Sequence, residues 1–492
     1  MVLSQKRVVI IGGGIAGLST AWAIRQRAPH VDVVVLERGT RTGGNIRTDH
    51  INGYVCEAGP DGFLDNAPAT LALVHELGLD PRVLPSNDEA RRRYIFRRGR
   101  LRQVPASIGA FITTPLLSTR GKLRLLAEPF ANTRQSDDES ILDFATRRIG
   151  REAAAVFVDP MVSGIYAGDA SALSLKACFP KMRQIEDEHG GLVRGLVATR
   201  RARRKTDVPG APAGRLTSFV GGLGDLIDGL TRALGPAIRT SVEVAAVRNN
   251  HELYLLAHRQ PPRRFAVRAA QTTLDADAVI LTGPAAQSAA MVRELDTSLA
   301  GVLDESPTAP LAVVCLGYEE ATIRSGCRLD GFGFLTARGE GVSILGTLWE
   351  TSIYNNRAPH GRVLLRVMIG GASDPHAVSL SDDELLTIVR MDLKRTMNIS
   401  AMPEFVRIIR HPRGIPQYTQ GHHSRLRRIE TLLESHPGLF VTGNSFRGVS
   451  LNACIADARS VADAVVKFVS TTSAATHAAG GAGGGRPVLP LV

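Results

Sequence analysis

Six residues near the amino terminus have the types and the spacing that bind a dinucleotide. The run Gly12–Gly17 reads Gly-Gly-Gly-Ile-Ala-Gly, which matches G-x-G-x-x-G, and it directly follows the apolar run Val8–Ile11. In such a unit Gly12 makes the tight turn, Gly14 lets the backbone approach a pyrophosphate, and Gly17 lets the next helix pack closely on the strand. The first helical turn offers N–H groups and the positive end of its dipole to the phosphates.

An acidic residue follows at the position that this unit requires. A second apolar run, Val31–Leu36, ends in Glu37, twenty positions after Gly17 (37 − 17). A carboxylate there accepts hydrogen bonds from both hydroxyls of an adenosine ribose. NAD and FAD both use the unit, but the next segment, Arg41-Thr42-Gly43-Gly44-Asn45, resembles the Arg-x-Gly-Gly continuation found in FAD-containing amine oxidases. Its second glycine pair and its arginine can lie along the same pyrophosphate, which favours FAD.

The composition is typical of a large globular protein with a basic surface. The chain has 492 residues, 44% hydrophobic and 22% charged, so two or more lobes are expected. Lysine and arginine exceed aspartate and glutamate by 59 − 47, a formal net charge of +12, with arginine-rich clusters at 91–93, 97–98 and 200–205. Such charge suits nucleic acid, an anionic membrane, an acidic ligand or simply a solvated surface. Without a recognisable nucleic-acid module, no nucleic-acid partner is expected.

The cysteines and the apolar runs predict a cytoplasmic protein. Five cysteines are widely spaced and form no C-x-x-C, which argues against a disulfide framework or a metal site. No apolar run approaches the roughly 18 residues of a membrane-spanning helix. The amino terminus leads directly into the first strand, so no secretory signal is expected. Any membrane contact is therefore predicted to be peripheral.

Helical and extended patterns divide the rest of the chain. Residues 107–205 are mainly helical and combine apolar residues with basic ones, a pattern that fits a membrane interface or a core helical lobe about equally. From Pro310 the pattern changes to strands, with a helix over Asp382–Met397, which predicts a mainly antiparallel sheet. The segment from Ser470 onward is rich in alanine and glycine and predicts a disordered tail.

Together with further motifs, these features resemble the oxygen-dependent protoporphyrinogen oxidase family of amine oxidase-like flavoproteins. The resemblance covers nearly all of residues 6–468. Its most specific motifs are Ser163-Gly164-Ile165-Tyr166-Ala167-Gly168, Gly331-Phe332-Gly333-Phe334-Leu335 and Ile415-Pro416-Gln417-Tyr418. It implies non-covalent FAD and the oxidation of protoporphyrinogen IX to protoporphyrin IX in heme biosynthesis. Hydride leaves a methylene bridge, protons leave ring nitrogens, and the reduced flavin is reoxidised by dioxygen, which yields hydrogen peroxide.

The resemblance also implies an α/β fold in three parts. These are a Rossmann-type FAD-binding lobe assembled from discontinuous segments, an antiparallel-sheet substrate lobe and a helical membrane-associating lobe. The order of the patterns along the chain independently predicts the discontinuous FAD-binding lobe. The expected boundaries are FAD-binding segments at 1–88, 208–285 and 411–469, a helical lobe at 89–207, a substrate-binding sheet at 286–410 and a disordered tail at 470–492.

Residue by residue, the resemblance implies a porphyrinogen cavity beside the flavin. Phe332 and Leu335 should sandwich a pyrrole ring, and Met368 should line the same cavity. The backbone of Gly164 should approach the substrate. The residues expected to hold the cofactor are Gly12, Gly14, Ile15, Ala16, Gly17, Glu37, Arg38, Arg41, Gly43, Gly44, Asn45, Gly59, Pro60, Asp61, Gly62, Val242, Thr282, Gly443, Asn444, Val449 and Leu451.

A guanidinium and a proton acceptor complete the expected site. One of Arg92 and Arg93 should bind a propionate carboxylate, and Arg93 fits the family pattern better. No catalytic residue is certain; Gly164 and Asp61 are the candidates. Asp61 stands where bacterial relatives commonly have asparagine after Gly-Pro, so it adds a carboxylate that can accept a proton, although a solvated turn explains it equally well.

This chain also departs from the family pattern at two positions near its end. Asn444 stands where many FAD oxidases have an acidic residue after the final glycine, and a neutral amide can still hydrogen-bond the cofactor. Ala453 replaces the aspartate of the frequent Asn-Asp-Cys sequence, which puts a cap or a supporting contact near the flavin in doubt.

Several functions stay open at this point. Coproporphyrinogen, with two more carboxylates, is the alternative substrate, and another flavin amine oxidase or desaturase is the alternative enzyme. A non-catalytic porphyrin- or flavin-binding protein is the alternative class. The expected partners are the porphyrinogen, dioxygen and anionic lipid at the inner face of the cell membrane. A homodimer and handover of the product to ferrochelatase are further expectations of the resemblance.

Overall fold

The computed structural model describes residues 5–106, 108–131, 136–195, 198, 214–250, 263–270, 272–323 and 328–480. The chain forms two compact units, each assembled from separate segments. Unit 1 contains Met1–Gly44, Ile227–Asp304 and Ile429–Val492, and unit 2 contains Asn45–Leu226 and Glu305–Arg428. Among the described residues, every helix is too short or too polar to span a bilayer.

Strands and helices occur in both units. The strands are β1 Arg7–Ile11, β2 Asp32–Leu36, β3 Thr48–Ile51, β4 Tyr54–Glu57, β5 Phe63–Leu64, β6 Val83–Pro85, β7 Tyr94–Arg97, β8 Arg100–Gln103, β9 Leu216–Phe219, β10 Ile238–Arg239, β11 Val244–Asn249, β12 Phe265–Ala269, β13 Thr273–Ala276, β14 Ala278–Leu281, β15 Thr308–Glu319, β16 Gly333–Thr336, β17 Ile344–Trp349, β18 Arg362–Gly370, β19 Phe405–Pro416 and β20 Leu439–Val441. The main helices are α1 Ile15–Arg27, α2 Pro68–Glu76, α3 Ile108–Thr113, α4 Thr119–Leu126, α5 Ile141–Ile149, α6 Arg151–Ala153, α7 Asp159–Tyr166, α8 Leu175–Cys178, α9 Pro180–His189, α10 Gly224–Leu234, α11 Ala285–Val292, α12 Thr297–Asp304, α13 Glu320–Ile323, α14 Glu350–Ile353, α15 Asp382–Met397, α16 His422–Glu434 and α17 Leu451–Gly480.

Unit 1 is built on a five-stranded parallel sheet in the order β10-β2-β1-β14-β20. Its central strand β1 consists of apolar, mostly β-branched residues, and Val8, Val9 and Ile10 are fully buried, as a strand covered on both faces requires. Because the carboxyl ends of parallel strands lie at one edge of the sheet, the turns that follow β1, β2, β14 and β20 lie together there. This edge contains most of the residues predicted to hold the cofactor.

Unit 2 contains a seven-stranded sheet in the order β19-β15-β18-β17-β16-β7-β8. All neighbouring strands are antiparallel except β16 and β7, which run parallel. One face packs on α15 through Leu385, Val389 and Leu393. The opposite face carries Val313, Cys315 and Met368. Alternate residues of a strand point to opposite faces, so both apolar sets come from the same strands.

Several predicted elements match closely, and others differ for identifiable reasons. The helix Asp382–Met397 has the predicted ends, because Ser381 and Glu384 form a capping box and Asn398 ends the helix in the left-handed conformation. Residues 470–480, predicted to be disordered, continue α17 instead, since alanine has the highest helix propensity. After α10 the chain forms two short strands, β10 and β11, which belong to different sheets.

The α/β class is confirmed, whereas the six-segment division of the chain stays a prediction. The structure differs from it at one instructive place. Strands β7 and β8, which the division assigned to the helical lobe, extend the seven-stranded sheet, because the edge of β16 pairs with β7. Pairing between residues about 240 positions apart leaves no local signal in a sequence. The membrane-associating lobe also stays a prediction, and the basic cluster at 200–205 lies outside the described residues.

Candidate active site

The glycine turn of unit 1 leaves no room for side chains at two of its positions. Gly12 has a φ of 115°, and a Cβ there would lie 2.5 Å from Thr282 Oγ1. A Cβ on Gly17 would lie 2.0 Å from the carbonyl oxygen of Gly12. The helix α1 therefore packs against the turn as closely as the sequence predicted, and only glycine fits at these two positions.

Gly14 is different, because the space beside it is open. A Cβ on Gly14 would have no neighbour within 4 Å among the described atoms. Gly14 is also the N-cap of α1, and no side chain caps the helix. The first turn thus keeps backbone N–H groups for an anion, and the open space allows that anion to approach. These residues fit a bound pyrophosphate.

The second glycine pair lies directly beside this turn. Gly43 N donates a hydrogen bond to Gly13 O at 2.7 Å, and Gly44 approaches Gly14, since a Cβ on Gly44 would lie 3.4 Å from the Cα of Gly14. Both Gly43 and Gly44 have positive φ, at 103° and 59°. The second glycine pair, Gly43 and Gly44, therefore continues the surface that the turn at Gly12–Gly17 forms.

Glu37 braces the same turn at the end of β2. Its Oε2 accepts a hydrogen bond from Gly13 N at 2.7 Å, and its Oε1 accepts one from Gly39 N at 2.7 Å. Each carboxylate oxygen can accept a further hydrogen bond, so the ribose role remains available. Val242 N donates to the carbonyl oxygen of Glu37 at 2.9 Å, which places Val242 beside it.

The remaining cofactor candidates of unit 1 occupy the same sheet edge. Thr282 Oγ1 lies 3.0 Å from the carbonyl oxygens of Ile11 and Gly12, and Gly443 lies against Thr282 and Ala16. The exposed Arg41 donates hydrogen bonds to the carbonyl oxygens of Thr42 and Gly44, so it fixes its own loop. The other candidates are Arg38, which is exposed and 4.0 Å from Glu243, half-buried Ile15, Asn444 and Val449, and buried Leu451.

In unit 2, the predicted cofactor loop over 59–62 is closely packed. A Cβ on Gly59 would lie 2.2 Å from Asn45 O, and one on Gly62 would lie 2.6 Å from Thr217 O and 2.8 Å from the Tyr354 hydroxyl. Pro60 is exposed, whereas Asp61 is buried. The prediction of a solvated turn aspartate at position 61 is therefore wrong, because the tight backbone packing directs this side chain inward.

The predicted substrate residues of unit 2 lie close together. Phe332 N donates to the Arg92 carbonyl oxygen at 2.8 Å, which joins the start of β7 to the start of β16. Arg92 Nη1 forms an ion pair with Asp330 at 2.9 Å. The guanidinium carbon of Arg93 lies 5.2 Å from the centre of the Phe332 ring. No described acidic residue pairs with Arg93, so its charge is available for a ligand.

Helix α7 brings Gly164 against the same strand. A Cβ on Gly164 would lie 2.6 Å from Leu335 Cδ2, so glycine is required for this approach. Met368 lies on β18, which β17 separates from β16; it is half-buried and packs on the apolar face that contains Val313. The predicted substrate residues thus share one sheet and its covering helix.

The comparisons with known proteins agree with this geometry. The model of the flavin-containing amine oxidoreductase family matches residues 15–466. This chain belongs to that family. It is a flavin-dependent oxidoreductase whose cofactor is FAD, so both the predicted cofactor and the predicted class of enzyme are confirmed.

The relatives of this flavoprotein include porphyrinogen oxidases, which confirms the resemblance. This chain is 32% identical to coproporphyrinogen III oxidase of Bacillus subtilis, over 95% of its own length and 99% of that protein. It is 33% identical to the chloroplastic protoporphyrinogen oxidase of Oryza sativa over 94% of this chain and 88% of that protein. A solved structure from Exiguobacterium sp. 255-15, provisionally assigned as a protoporphyrinogen oxidase, has a TM-score of 0.80 at 26% identity and covers 94% of this chain and 99% of its own.

Sequence reasoning missed a buried charged group in unit 2 of this flavoprotein. Its members are the carboxyl groups of Glu57, Asp61 and Glu350, the guanidinium groups of Arg357 and Arg366, and the Tyr354 hydroxyl. Five of the six were not predicted, because they come from separate elements: β4, α14, β18 and the segment after α14. A charged residue in the apolar strand β18, Arg366, was the feature that could have revealed it.

Burial is the largest cause of the pKa shifts of Glu57 and Glu350. It raises the pKa of Glu57 to about 7, although hydrogen bonds from Leu223 N and Thr48 Oγ1 favour the ionised form. Burial also raises the pKa of Glu350 well above its ordinary range, and the charge of Asp61 adds to the effect while Arg366 opposes it. Unit 2 therefore holds two buried carboxyl groups that bind protons more tightly than exposed carboxyl groups do.

Proposed function

We propose that this chain oxidises a porphyrinogen to the corresponding porphyrin, with protoporphyrinogen IX as the preferred substrate. The observation that carries the proposal is the Arg93 guanidinium, which lies beside the Phe332 ring and has no acidic partner among the described residues. A porphyrinogen has a large apolar body and carboxylate arms. An apolar wall with a guanidinium at its edge matches both features, because the fork of donors on arginine binds a carboxylate in two parallel hydrogen bonds.

The residues of unit 2 have distinct tasks in this proposal. Phe332, Leu335 and Met368 bind the macrocycle through apolar contact, and the side-chain-free face of Gly164 allows close approach. Arg93 fixes which methylene bridge is presented for oxidation, since the pyrrole rings are alike to an apolar wall. The contact between Gly164 and Leu335 supports this arrangement, because any larger residue at position 164 would displace a wall of the cavity.

FAD supplies the electron acceptor for hydride from a methylene carbon, and we propose dioxygen as the final acceptor. In unit 1, the first turn of α1 and the open space at Gly14 would hold the pyrophosphate, and Glu37 would hold the ribose. We further propose that the cofactor is not covalently attached. Acid precipitation should then release the yellow colour into the supernatant, and colour that stays with the pellet would contradict the proposal.

Coproporphyrinogen is the second candidate substrate. The Bacillus subtilis relative is a coproporphyrinogen III oxidase and matches this chain over nearly the whole length of both proteins. Coproporphyrinogen has two more carboxylates, which need further cations. Arg92, the nearest further arginine, is paired with Asp330, and this neutralisation favours the substrate with fewer carboxylates.

Anaerobic mixing tests the proposal. When the holoprotein is mixed with protoporphyrinogen IX, the yellow absorbance of the oxidised flavin should disappear, either within the dead time of mixing or in a single exponential phase. Porphyrin fluorescence should rise at the same rate. If kcat/KM is larger with coproporphyrinogen than with protoporphyrinogen IX, coproporphyrinogen is the preferred substrate. A flavin that stays oxidised with both compounds, but bleaches with dithionite, would overturn the proposed function.

We also propose peripheral contact with an anionic membrane through an apolar surface in unit 2. It consists of Ile112, Leu123, Leu126, Phe130 and Val193, and Phe130 is 85% exposed. The buried Glu128 supports this surface, because its carboxylate accepts hydrogen bonds from Leu192 N and Val193 N at 2.8 and 3.1 Å. Arg120 and Lys122 lie on α4 beside it. Exposed apolar side chains flanked by cations suit the boundary between lipid headgroups and acyl chains.

A further inference from the structure

The buried charged group of unit 2 contains two carboxyl groups that face each other. Asp61 is 8% exposed and Glu350 is 1% exposed. No described residue donates a hydrogen bond to any of their four carboxylate oxygens. The nearest cation of Glu350 is Arg366, with 3.8 Å between Nη1 and Oε1. We call Asp61 and Glu350 the carboxyl pair. Two buried carboxylates without donors would cost several kcal/mol, so an unobserved proton must satisfy them.

The surrounding groups have other partners. Arg366 donates to the carbonyl oxygen of Gly59, and Arg357 donates to Ser218 Oγ at 3.0 Å and lies over the Tyr354 ring. Glu57 accepts hydrogen bonds from Leu223 N and Thr48 Oγ1 at 2.7 and 2.8 Å. Glu57 therefore has hydrogen-bond donors of its own. In the carboxyl pair, by contrast, the acceptor oxygens of Asp61 and Glu350 face each other without a donor among the described residues.

Charge balance gives the same answer. Glu57, Asp61 and Glu350 face two guanidinium groups, Arg357 and Arg366, so the buried group is neutral when one carboxyl keeps a proton. The other titratable neighbours add no charge: burial lowers the pKa of His411, which bonds to Ala58 O, and the pKa values of Tyr354 and Cys315 are raised. Since Asp61 and Glu350 lack other donors, the proton lies between them.

Two series of contacts within unit 2 connect the carboxyl pair with the proposed substrate residues. Tyr354 and Phe332 belong to one apolar cluster, and the Tyr354 hydroxyl points at Gly62, next to Asp61. Arg366 and Met368 are two residues apart on β18, so their side chains leave the same face of the sheet. Within unit 2 the carboxyl pair is thus connected to Phe332 through Tyr354 and to Met368 through Arg366.

We propose that Asp61 accepts the proton that a substrate nitrogen loses in each two-electron step, and that Glu350 positions and tunes Asp61 through the shared proton. This inference rests on the proposed porphyrinogen oxidation. In each step an N–H bond breaks and an O–H bond forms on Asp61, while the hydride lost from carbon is taken by the oxidised flavin. Over three steps the fourth methylene carbon passes one proton to a ring nitrogen by tautomerisation, so the porphyrin keeps two N–H groups. The pair passes from one proton to two and releases the extra proton to water before the next step.

Isosteric variants separate the two roles. Asp61→Asn removes the acceptor, and kcat should fall about 100-fold or more across the whole pH range. Glu350→Gln keeps the acceptor but removes the second titration. In the parent, ionisation of Glu350 at alkaline pH brings two negative charges together, so kcat should fall there. Glu350→Gln should lose this alkaline limb. FAD content should stay normal in both variants.

Infrared spectroscopy reads the shared proton without turnover. At pH 8 a band from a protonated buried carboxyl should be present in the parent and absent in Glu350→Gln. Glu57→Gln is the matched control, because Glu57 is equally buried and faces the same guanidinium groups, yet it is mostly ionised about one unit above its pKa of about 7. That variant should keep the band, because Asp61 and Glu350 still lack other donors, and its alkaline limb should move to lower pH, because one negative charge is lost from the group.

The outcomes distinguish this inference from the proposed function. If neither porphyrinogen bleaches the parent flavin, the proposed function fails, and the acceptor role fails with it. If the parent is active but both variants stay within a factor of about two with an unchanged pH profile, only the acceptor role is overturned. Should Asp61→Asn lose FAD, the alkaline limb of Glu350→Gln decides: its persistence overturns the role of Glu350, and its loss together with the infrared band supports the pair.

Discussion

The glycine turn in unit 1 and the Arg93 and carboxyl-pair region in unit 2 are built on different principles. The turn presents backbone N–H groups and empty space, and its main residues lie within one strand-turn-helix segment, Arg7–Arg27. The region in unit 2 presents side chains from strands far apart in the sequence, such as Arg93 at β7 and Phe332 at β16. The backbone site in unit 1 is therefore determined by one short segment of the sequence. The side-chain site in unit 2 depends instead on which strands pair across long distances in the sequence.

This difference predicts opposite sensitivities. In unit 1, function should fail where a Cβ fills the space of the backbone or of the cofactor. In unit 2, function should fail where a charged or hydrogen-bonding group is removed, although the backbone stays intact. The following experiments separate these expectations, beginning with the largest effect.

Gly17→Ala should have the largest effect, because the added Cβ would lie 2.0 Å from the carbonyl oxygen of Gly12. Forcing α1 away from the turn should lower the free energy of unfolding by about 3 kcal/mol. FAD occupancy of the purified protein should fall to background. Chemical denaturation and the ratio of flavin to protein absorbance measure the two quantities.

Gly14→Ala is the matched control for this change. Its Cβ has no neighbour within 4 Å, so the apoprotein should keep its stability within about 1 kcal/mol. FAD affinity should nevertheless fall tenfold or more, since the cofactor phosphates need this space. Unaltered affinity would mean that the pyrophosphate does not lie at Gly14.

The two regions also differ in how much of their structure could be predicted from the sequence. The turn at Gly12–Gly17, its acid Glu37 and the second glycine pair were predictable, because each depends on residues within one short segment. Arg93 and Phe332 needed family resemblance, since their contact depends on the parallel pairing of β7 and β16. Glu350 and Arg366 were not predicted, because burial and mutual approach of charged residues arise only in the folded sheet.

The second largest effect concerns the pH dependence of stability. The pKa of Glu57 rises from 4.5 to about 7 on burial, so the folded protein holds this proton more tightly than the unfolded chain. The stabilisation is fully present below pH 4.5 and is lost as the pH rises to about 7. The loss amounts to about 3 kcal/mol, at about 1.4 kcal/mol for each unit.

Glu57→Gln tests this expectation, because a neutral side chain has no proton to lose. Urea denaturation at pH 4.5, 6 and 7.5 should show a decline in the parent that is smaller by that amount in the variant. Parallel curves for the two proteins would show that Glu57 is ionised throughout the folded state.

Glu37→Ala should weaken FAD binding by about 1.5–3 kcal/mol, the usual value of hydrogen bonds to a charged group. Two effects combine, because the variant loses the ribose acceptor and also releases Gly13 N and Gly39 N. Fluorescence titration of the apoprotein with FAD and with an FAD analogue that lacks the adenosine-ribose hydroxyls separates them. A loss that is larger for FAD than for the analogue indicates the ribose contact, and equal loss for both ligands would refute it.

The smallest expected effect is at the proposed membrane surface. Arg120→Gln should weaken co-sedimentation with anionic liposomes by about 1 kcal/mol at low salt, and the difference should shrink as salt is raised. Lys467→Gln, an exposed basic residue on α17, is the control and should bind as the parent does. Equal binding of all three proteins to neutral and anionic liposomes would contradict the electrostatic contribution.

The most direct test of the account compares Arg93→Ala with Arg92→Ala in steady-state oxidation of protoporphyrinogen IX. The two arginines are adjacent, but Arg92 is paired with Asp330, whereas Arg93 has no described acidic partner and lies over Phe332. Loss of a charge-assisted carboxylate contact should lower kcat/KM of Arg93→Ala about 10- to 100-fold. It should raise KM and also lower kcat through misplacement of the reacting carbon.

Arg92→Ala should stay within a factor of about two of the parent, since an exposed ion pair contributes little. FAD content should be normal in both variants. If Arg93→Ala is as active as the parent, or if Arg92→Ala is impaired to the same degree, the propionate is not anchored by Arg93 and the proposed substrate site is wrong.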